Sequence, residues 1–152
     1  MAHAIAAYLH YLSIFLLFAL LTLEHQLFRQ PITLERARSL FRIDIVFGMV
    51  AGLVLVTGAA RTFWFGKGFD YYLHNNAFHA KVSLFVLVAL LSIYPTVTFL
   101  GWRTRIKAGE APQVSARTAR WVTLVIRTEL LGLSIIPLLA ALMARGIGVI
   151  PR

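Results

Sequence analysis

The sequence predicts an all-α integral membrane protein folded as a four-helix bundle. Hydrophobic residues make up 59% of the 152-residue chain and charged residues only 14%, and the mean hydropathy is +0.77. A soluble domain carries roughly 25% charged residues. Four apolar stretches, at about 4–28, 43–60, 77–100 and 121–143, each approach or exceed the ~20 residues that cross a bilayer as a helix. They use nearly all of the chain, so we expect one transmembrane domain over residues 1–152.

The distribution of basic residues predicts how these spans are oriented. The net charge of +9 does not indicate nucleic-acid binding, because the basic residues cluster in the connections between spans. Cytoplasmic connections of membrane proteins are enriched in Lys and Arg. We therefore expect the first and third connections in the cytoplasm, and both termini and the second connection outside. The first and third connections hold Arg29, Arg36, Arg38, Arg42, Arg103, Arg105, Lys107, Arg117 and Arg120, and the second holds Arg61 and Lys67.

The absence of cysteine removes several kinds of chemistry. With no cysteine in the chain, disulfides, thiolate metal sites and thiol catalysis are excluded. Covalent haem attachment through Cys-x-x-Cys-His is excluded as well. Any haem is therefore held non-covalently, and any metal is held by histidine or carboxylate.

The first two spans carry polar residues that call for a protein environment. His3, His10 and Glu24 recur at multiples of seven and drift only ~20° per heptad, so they form one stripe. The first span contains too long an apolar stretch for a signal peptide, and we expect it to be retained. In the first connection, residues 33–36 predict a short amphipathic turn on the membrane surface. The second span opens with Asp44 and carries Gly48 and Gly52 at a spacing that permits close helix contact.

The second connection, residues 61–76, alternates aromatic residues with Gly, Lys, Asp and His. Two interpretations remain open. An interfacial aromatic belt accounts for the tyrosines and tryptophan. A binding cap over the next span accounts for the polar side chains, with Asp70, Tyr71, Tyr72, His74 and Asn75 as candidate cap residues.

The third span begins with His79 and Lys81, and ionisable side chains inside a membrane helix are candidate functional residues. The two point about 200° apart on a helix, so we expect only one to face the bundle interior. At the predicted orientation, His10 and His79 lie one to two turns below the same outer surface. They are candidates to hold a metal or a haem between them, with His74 as an alternative ligand. Hydrogen bonds to neighbouring helices are the competing explanation for both histidines.

The fourth span carries Arg127 and Glu129, which also point about 200° apart. Each therefore needs its own partner on another helix, and Glu24 or Asp44 are candidates for Arg127. We expect Glu129 to be neutral or to have a cationic partner, because an unpaired charge there costs roughly 2.5–3.5 kcal/mol on insertion scales. A structural ion pair is at least as consistent with these residues as catalysis.

Several segments together resemble a known family. These are residues 8–12 (YLHYL), 65–68 (FGKG), 70–75 (DYYLHN) and 78–81 (FHAK). They are similar to a family of bacterial predicted four-helix membrane proteins, domain of unknown function 2214, over essentially the whole chain. That resemblance implies a fold and no activity.

A more distant resemblance suggests chemistry. Leu9-His10, Gly48-Met49-Val50 and His79-Ala80-Lys81 are similar to the HemJ-type protoporphyrinogen oxidases, small four-helix membrane proteins that bind b-type haem. The resemblance implies that His10 and His79 are haem-linked and that Lys81 accompanies them. The fourth helix departs from that family, because Arg127-Thr128-Glu129 is followed by Leu-Leu-Gly and proline comes only at position 137. Haem binding therefore carries over better than porphyrinogen oxidation.

Two functions follow as hypotheses. The first is a b-type haem redox protein of the bacterial inner membrane, with a porphyrin, porphyrinogen or quinone-like reductant as partner. Its ligands would be His10 and His79, and its propionates would be neutralised by Arg61, Lys67 or Lys81. The second is a cofactor-free transport or scaffolding bundle with hydrogen-bonded histidines, and a His/carboxylate metal site is a third possibility. The sequence leaves open whether the chain is an oxidoreductase and whether it forms a homo-oligomer in the lipid bilayer.

Overall fold

The computed structural model describes residues 1–64 and 72–148, and in these residues the regular structure is helical. Four long helices are joined by connections, and a short fifth helix lies in the third connection. All four long helices are long and apolar enough to cross a membrane. The predicted all-α membrane bundle is therefore confirmed. The helices are α1 (Ala2–Leu27), α2 (Leu34–Phe63), α3 (Asn76–Gly101), the short α4 (Arg103–Lys107) and α5 (Ala116–Ala144).

Side-chain caps set where three of these helices begin. The hydroxyl of Thr33 accepts from the backbone N–H of Arg36, the amide oxygen of Asn75 from Phe78, and the hydroxyl of Ser115 from Thr118. Each contact satisfies an N–H group that has no partner inside the helix. Capping by Thr33 corrects the expectation that residues 33–36 form a separate amphipathic turn in the first connection. Residues 33–36 form the first turn of α2, which begins nine residues before the expected span.

The end of α5 is a Schellman motif that turns the chain back toward α3. Gly146, at φ +79°, donates its N–H to Met143, and Ile147 donates to Leu142. The carbonyl of Gly148 then accepts from the N–H of Asn76 at 2.8 Å. The end of α5 is therefore tied to the beginning of α3.

The four long helices are arranged as a square. The most extensive packing joins α1 to α2 and α3 to α5, and α1 also contacts α5 while α2 contacts α3. The pairs α1–α3 and α2–α5 are therefore diagonal. The core lies on the central axis and is formed by residues such as Leu21, Phe47, Val88, Ile126 and Leu133. The outer faces are apolar as well: Phe15 is 74% exposed and Val97 61% exposed, as expected of side chains that contact lipid.

The close helix contact that the spacing of Gly48 and Gly52 permits is not made within the described chain. A Cβ atom at either position would meet nothing within 4 Å. The close approach occurs at Gly132 instead, where a Cβ would lie 2.6 Å from Cγ2 of Val88 on α3. A small-residue pattern permits a helix contact, but the rotation of the helix decides which glycine uses it.

Candidate functional site

Polar side chains lie in the bundle at two levels. The first, called here the histidine site, is formed by His10, Thr57, Gly58, Arg61 and Lys81, near the end that holds the second connection. The second, called the carboxyl layer, is formed by Glu24, Asp44, Thr96 and Glu129 nearer the other end. Fourteen residues separate His10 from Glu24 on α1, which corresponds to about 21 Å along the axis.

Hydrogen bonds at the histidine site determine which ring nitrogen of His10 carries hydrogen. Nδ1 of His10 lies 2.9 Å from Oγ1 of Thr57. The single hydroxyl hydrogen of Thr57 is donated to the carbonyl of Leu53 at 2.7 Å, so towards the ring Thr57 acts as acceptor. Nδ1 therefore carries the hydrogen and donates it to Thr57. Nε2 is left with its lone pair, which is how second-shell contacts prepare a ligating histidine.

Gly58 makes room for the His10 ring. A Cβ atom at this position would lie 3.2 Å from Cε1 of His10 and 3.8 Å from Nδ1. The glycine on α2 thus forms a recess into which the imidazole of α1 fits. No sequence pattern distinguishes Gly58 from the other glycines of α2.

Two cations accompany His10. Arg61 and Lys81 interact electrostatically with His10 and with each other. Arg61 also lies over the ring of Tyr11, with its guanidinium carbon 4.9 Å from the ring centre, and Lys81 Nζ lies 5.3 Å from the ring centre of Phe78. Within residues 1–64 and 72–148, neither cation forms a salt bridge with a carboxylate. The described residues of the histidine site therefore include two cations, which suit an anionic group.

His79 lies differently from His10. Its ring is exposed, and Nε2 donates to the carbonyl of Leu73 at 2.8 Å. It belongs to α3, which is diagonal to α1, and the two rings make no contact in the described structure. Of the two residues expected to divide between interior and exterior, Lys81 is the half-buried one. Ligation by both histidines remains a prediction.

The candidate cap residues are only partly described. Lys67, Asp70 and Tyr71 lie outside the described residues. The ring of Tyr72 packs against Phe78 with centres 5.1 Å apart, and His74 is exposed. Asn75 is fully buried as the cap of α3, which is a structural role.

At the carboxyl layer, all four long helices contribute one polar side chain. Glu24 is 1% exposed, Asp44 4% and Glu129 1%. Thr96 of α3 donates its hydroxyl to Oδ1 of Asp44 at 2.8 Å. Both carboxyl oxygens of Glu129 and Oε1 of Glu24 are buried and have no hydrogen-bond partner. The three carboxyl groups interact electrostatically with one another.

The expected pairing of Arg127 with Glu24 or Asp44 is wrong. Nε of Arg127 donates to Nε2 of His25 at 3.2 Å on an exposed face. The reason is the 200° between Arg127 and Glu129, because turning Glu129 inward turns Arg127 away from the axis. His25, the residue after Glu24, is turned away from the interior in the same manner.

Comparison with known proteins identifies the family. Residues 2–148 match the family described as Predicted membrane protein (DUF2214). The chain belongs to this family. Neither the curated proteins nor the solved structures contain a significant match.

In this DUF2214 protein, an aromatic cluster closes the bundle next to the carboxyl layer. Phe28 stacks on Trp102 with rings 4° from parallel, and Phe99 contacts both. All three are buried. Phe28 lies one turn beyond Glu24 and Phe99 nearly one turn beyond Thr96, so the cluster lies between the layer and the end of the bundle. The sequence analysis missed this cluster, whose members come from the ends of α1 and α3, far apart in the chain.

Two other features of the DUF2214 protein bear on ligand binding. Across the described residues, no three His, Asp or Glu side chains converge to hold a metal ion. A surface groove of about 450 Å³ is lined by Tyr94, Arg117, Trp121 and Val125, which belong to neither polar level. The chemistry available in the interior therefore rests with the histidine site and the carboxyl layer.

Proposed function

We propose that the protein binds b-type haem at the histidine site and acts in electron transfer in the bacterial inner membrane. The observation that carries the proposal is the 2.9 Å contact between Nδ1 of His10 and Oγ1 of Thr57. With the Thr57 hydrogen donated to Leu53, this contact assigns the ring hydrogen to Nδ1 and leaves the Nε2 lone pair available. The recess at Gly58 and the two nearby cations support it. Leu9-His10 and His79-Ala80-Lys81 are similar to segments of the HemJ-type proteins, which bind haem, and this similarity is the reason for proposing haem as the ligand.

Each residue of the histidine site would have its own role in binding the haem. Nε2 of His10 would ligate the iron, and Thr57 would keep the ring in the ligating tautomer. Arg61 and Lys81 would neutralise the propionates, together with Lys67 if the second connection closes over the site. The haem would supply one-electron chemistry, while the surrounding residues set its access and potential. A porphyrinogen or quinone-like reductant in the bilayer would deliver the electrons.

A second histidine ligand for the haem would have to come from another part of the chain. His79 is the candidate from the sequence, and it would have to give up its hydrogen bond to Leu73 and turn towards the axis. His74 is the alternative. If His10 were the only histidine to hold the haem, its visible spectrum would differ from that of a haem held by two histidines.

Visible spectroscopy of the purified protein tests the proposal. We expect a Soret band after expression with haem supply, its loss in His10→Ala, and its retention in the matched control His25→Ala on the same helix. Thr57→Val keeps the shape of the side chain but removes the hydroxyl oxygen that accepts from His10. It should weaken haem retention about tenfold, equivalent to ~1.4 kcal/mol. A protein that folds but never binds haem would contradict the proposal.

The hydrogen bond between His79 and Leu73 favours a second candidate function. With both histidines committed to hydrogen bonds, the bundle would serve as a cofactor-free transporter or scaffold. Its signature would be a colourless protein whose His10→Ala variant is destabilised because Thr57 loses its partner. A haem-dependent Soret band would eliminate this candidate.

A further inference from the structure

The carboxyl layer contains more acceptor atoms than the surrounding protein satisfies. Three carboxyl groups from α1, α2 and α5 lie close enough in the interior to interact electrostatically, and each is at least 96% buried. The one hydrogen bond donated to them within the described structure comes from Thr96. Glu129 has no donor for either oxygen, and Glu24 lacks one for Oε1. Buried acceptors without donors are rare and indicate a bound partner or a functional role.

Among the described residues, the carboxyl layer lacks a compensating positive charge as well as a full set of hydrogen-bond donors. The titratable groups that face the layer are its own carboxyls from α1, α2 and α5, while α3 contributes the uncharged Thr96. Arg127, the cation two residues before Glu129 on α5, bonds to His25 outside the interior. Carboxylates close enough to interact electrostatically disfavour one another's ionised forms, and burial does so as well. The layer therefore needs a positive charge that none of its described neighbours supplies.

A bound proton would provide both the missing positive charge and a hydrogen-bond donor. On binding to a carboxylate it removes one negative charge and creates an O–H donor, which can be shared with a neighbouring carboxyl oxygen. A metal ion needs several ligand atoms converging at fixed distances, and no such group is found among the described residues. The aromatic cluster of Phe28, Phe99 and Trp102 shields the layer at the nearer end of the bundle.

We propose that the carboxyl layer is a proton-exchange site, in which Glu24, Asp44 and Glu129 share exchangeable protons inside the membrane. This site is independent of haem and lies about 21 Å from His10 along α1. Glu129 is its central member because both of its oxygens lack a donor in the described structure. Intramembrane carboxyls of this kind serve as proton relays in membrane proteins.

Labelling with dicyclohexylcarbodiimide tests the proposal on the unaltered chain in proteoliposomes. This apolar reagent adds to a protonated carboxyl group to give an N-acylurea, so the acid contributes its proton and nothing is released. The chain has six Asp and Glu residues, three of them in the layer, and Glu35 and Glu110, which lie in described segments outside it, are internal controls. We expect adducts on Glu129 or Glu24 that decrease as the pH is raised.

Variants and salts then distinguish the outcomes. Glu129→Gln should lose its own adduct, and Asp44→Asn should shift the pH at which the remaining glutamates are labelled, whereas the matched control Glu110→Gln should change neither. Failure to label the layer at any pH, in protein that labels after unfolding, would overturn the proposal. Equal labelling of Glu35 and Glu110 would overturn it too. Protection by sodium chloride but not choline chloride would replace the proton with a sodium ion.

Discussion

Gly132 lies at the closest contact between α3 and α5. A Cβ atom there would come within 2.6 Å of Val88 Cγ2. Gly132→Ala should therefore lower the free energy of unfolding in detergent by about 1–3 kcal/mol, the usual cost of overpacking. Adding Val88→Ala should recover most of that loss. The control is Gly52→Ala, which meets nothing within 4 Å. Equal stability of the two glycine variants would contradict this contact.

Glu129 is expected to tolerate a neutral replacement. Glutamine has the same shape and brings two N–H donors to a layer that lacks donors, so Glu129→Gln should keep the fold. Because the histidine site lies about 21 Å from the layer along α1, any Soret band should also be unchanged. The measurements are the unfolding midpoint and the visible spectrum beside wild type. A folded variant with an altered haem spectrum would show that the two levels are coupled.

At the scale of elements, the beginning of α3 depends on Asn75. Its side chain accepts from Phe78, and the neighbouring backbone N–H of Asn76 bonds to Gly148 after α5. Asn75→Ala should cost about 1 kcal/mol through loss of the cap and speed amide exchange in the first turn of α3. Asn76→Ala is the matched control, because that side chain is exposed and its backbone bond remains. Similar exchange in both variants would exclude a capping role.

The helices themselves illustrate a general feature of membrane bundles. The apolar part of α2 predicts a span from about residue 43, whereas the helix begins at Leu34. Its first turns carry Glu35, Arg36 and Arg38, which are polar and were therefore interpreted as a connection. A helix continues as long as its hydrogen bonds and packing support it, and Leu40 and Ala37 are fully buried in this part of α2. Hydropathy marks the portion in lipid and not the end of the helix.

At the scale of the whole molecule, the orientation in the membrane is a prediction open to direct test. The chain contains no cysteine, so single cysteines can be introduced without background. Trp64→Cys and His3→Cys should react with a membrane-impermeant maleimide in intact cells. Glu35→Cys and Glu110→Cys should react only after permeabilisation, because the basic connections are expected in the cytoplasm. The reverse pattern would invert the topology.

The sequence by itself determined the membrane class, the four spans and the inward direction of the polar stripe on α1. These properties depend on local hydropathy and on helical periodicity, both of which are fixed by neighbouring residues along the chain. His10 and Glu24 accordingly face protein, as expected, although His3 is exposed near the end of α1. The sequence singled out the ionisable residues of the other spans but did not predict that Arg127 bonds to His25.

Only the tertiary structure decided how these residues meet. It directs Arg127 to His25, turns Lys81 rather than His79 towards the interior, gives His10 its recess at Gly58, and gathers three carboxyl groups with Thr96 into one layer. Each of these depends on the rotation of one helix about its axis relative to the others. That rotation results from side-chain packing between residues far apart in the chain, such as Gly132 and Val88, for which no local pattern exists.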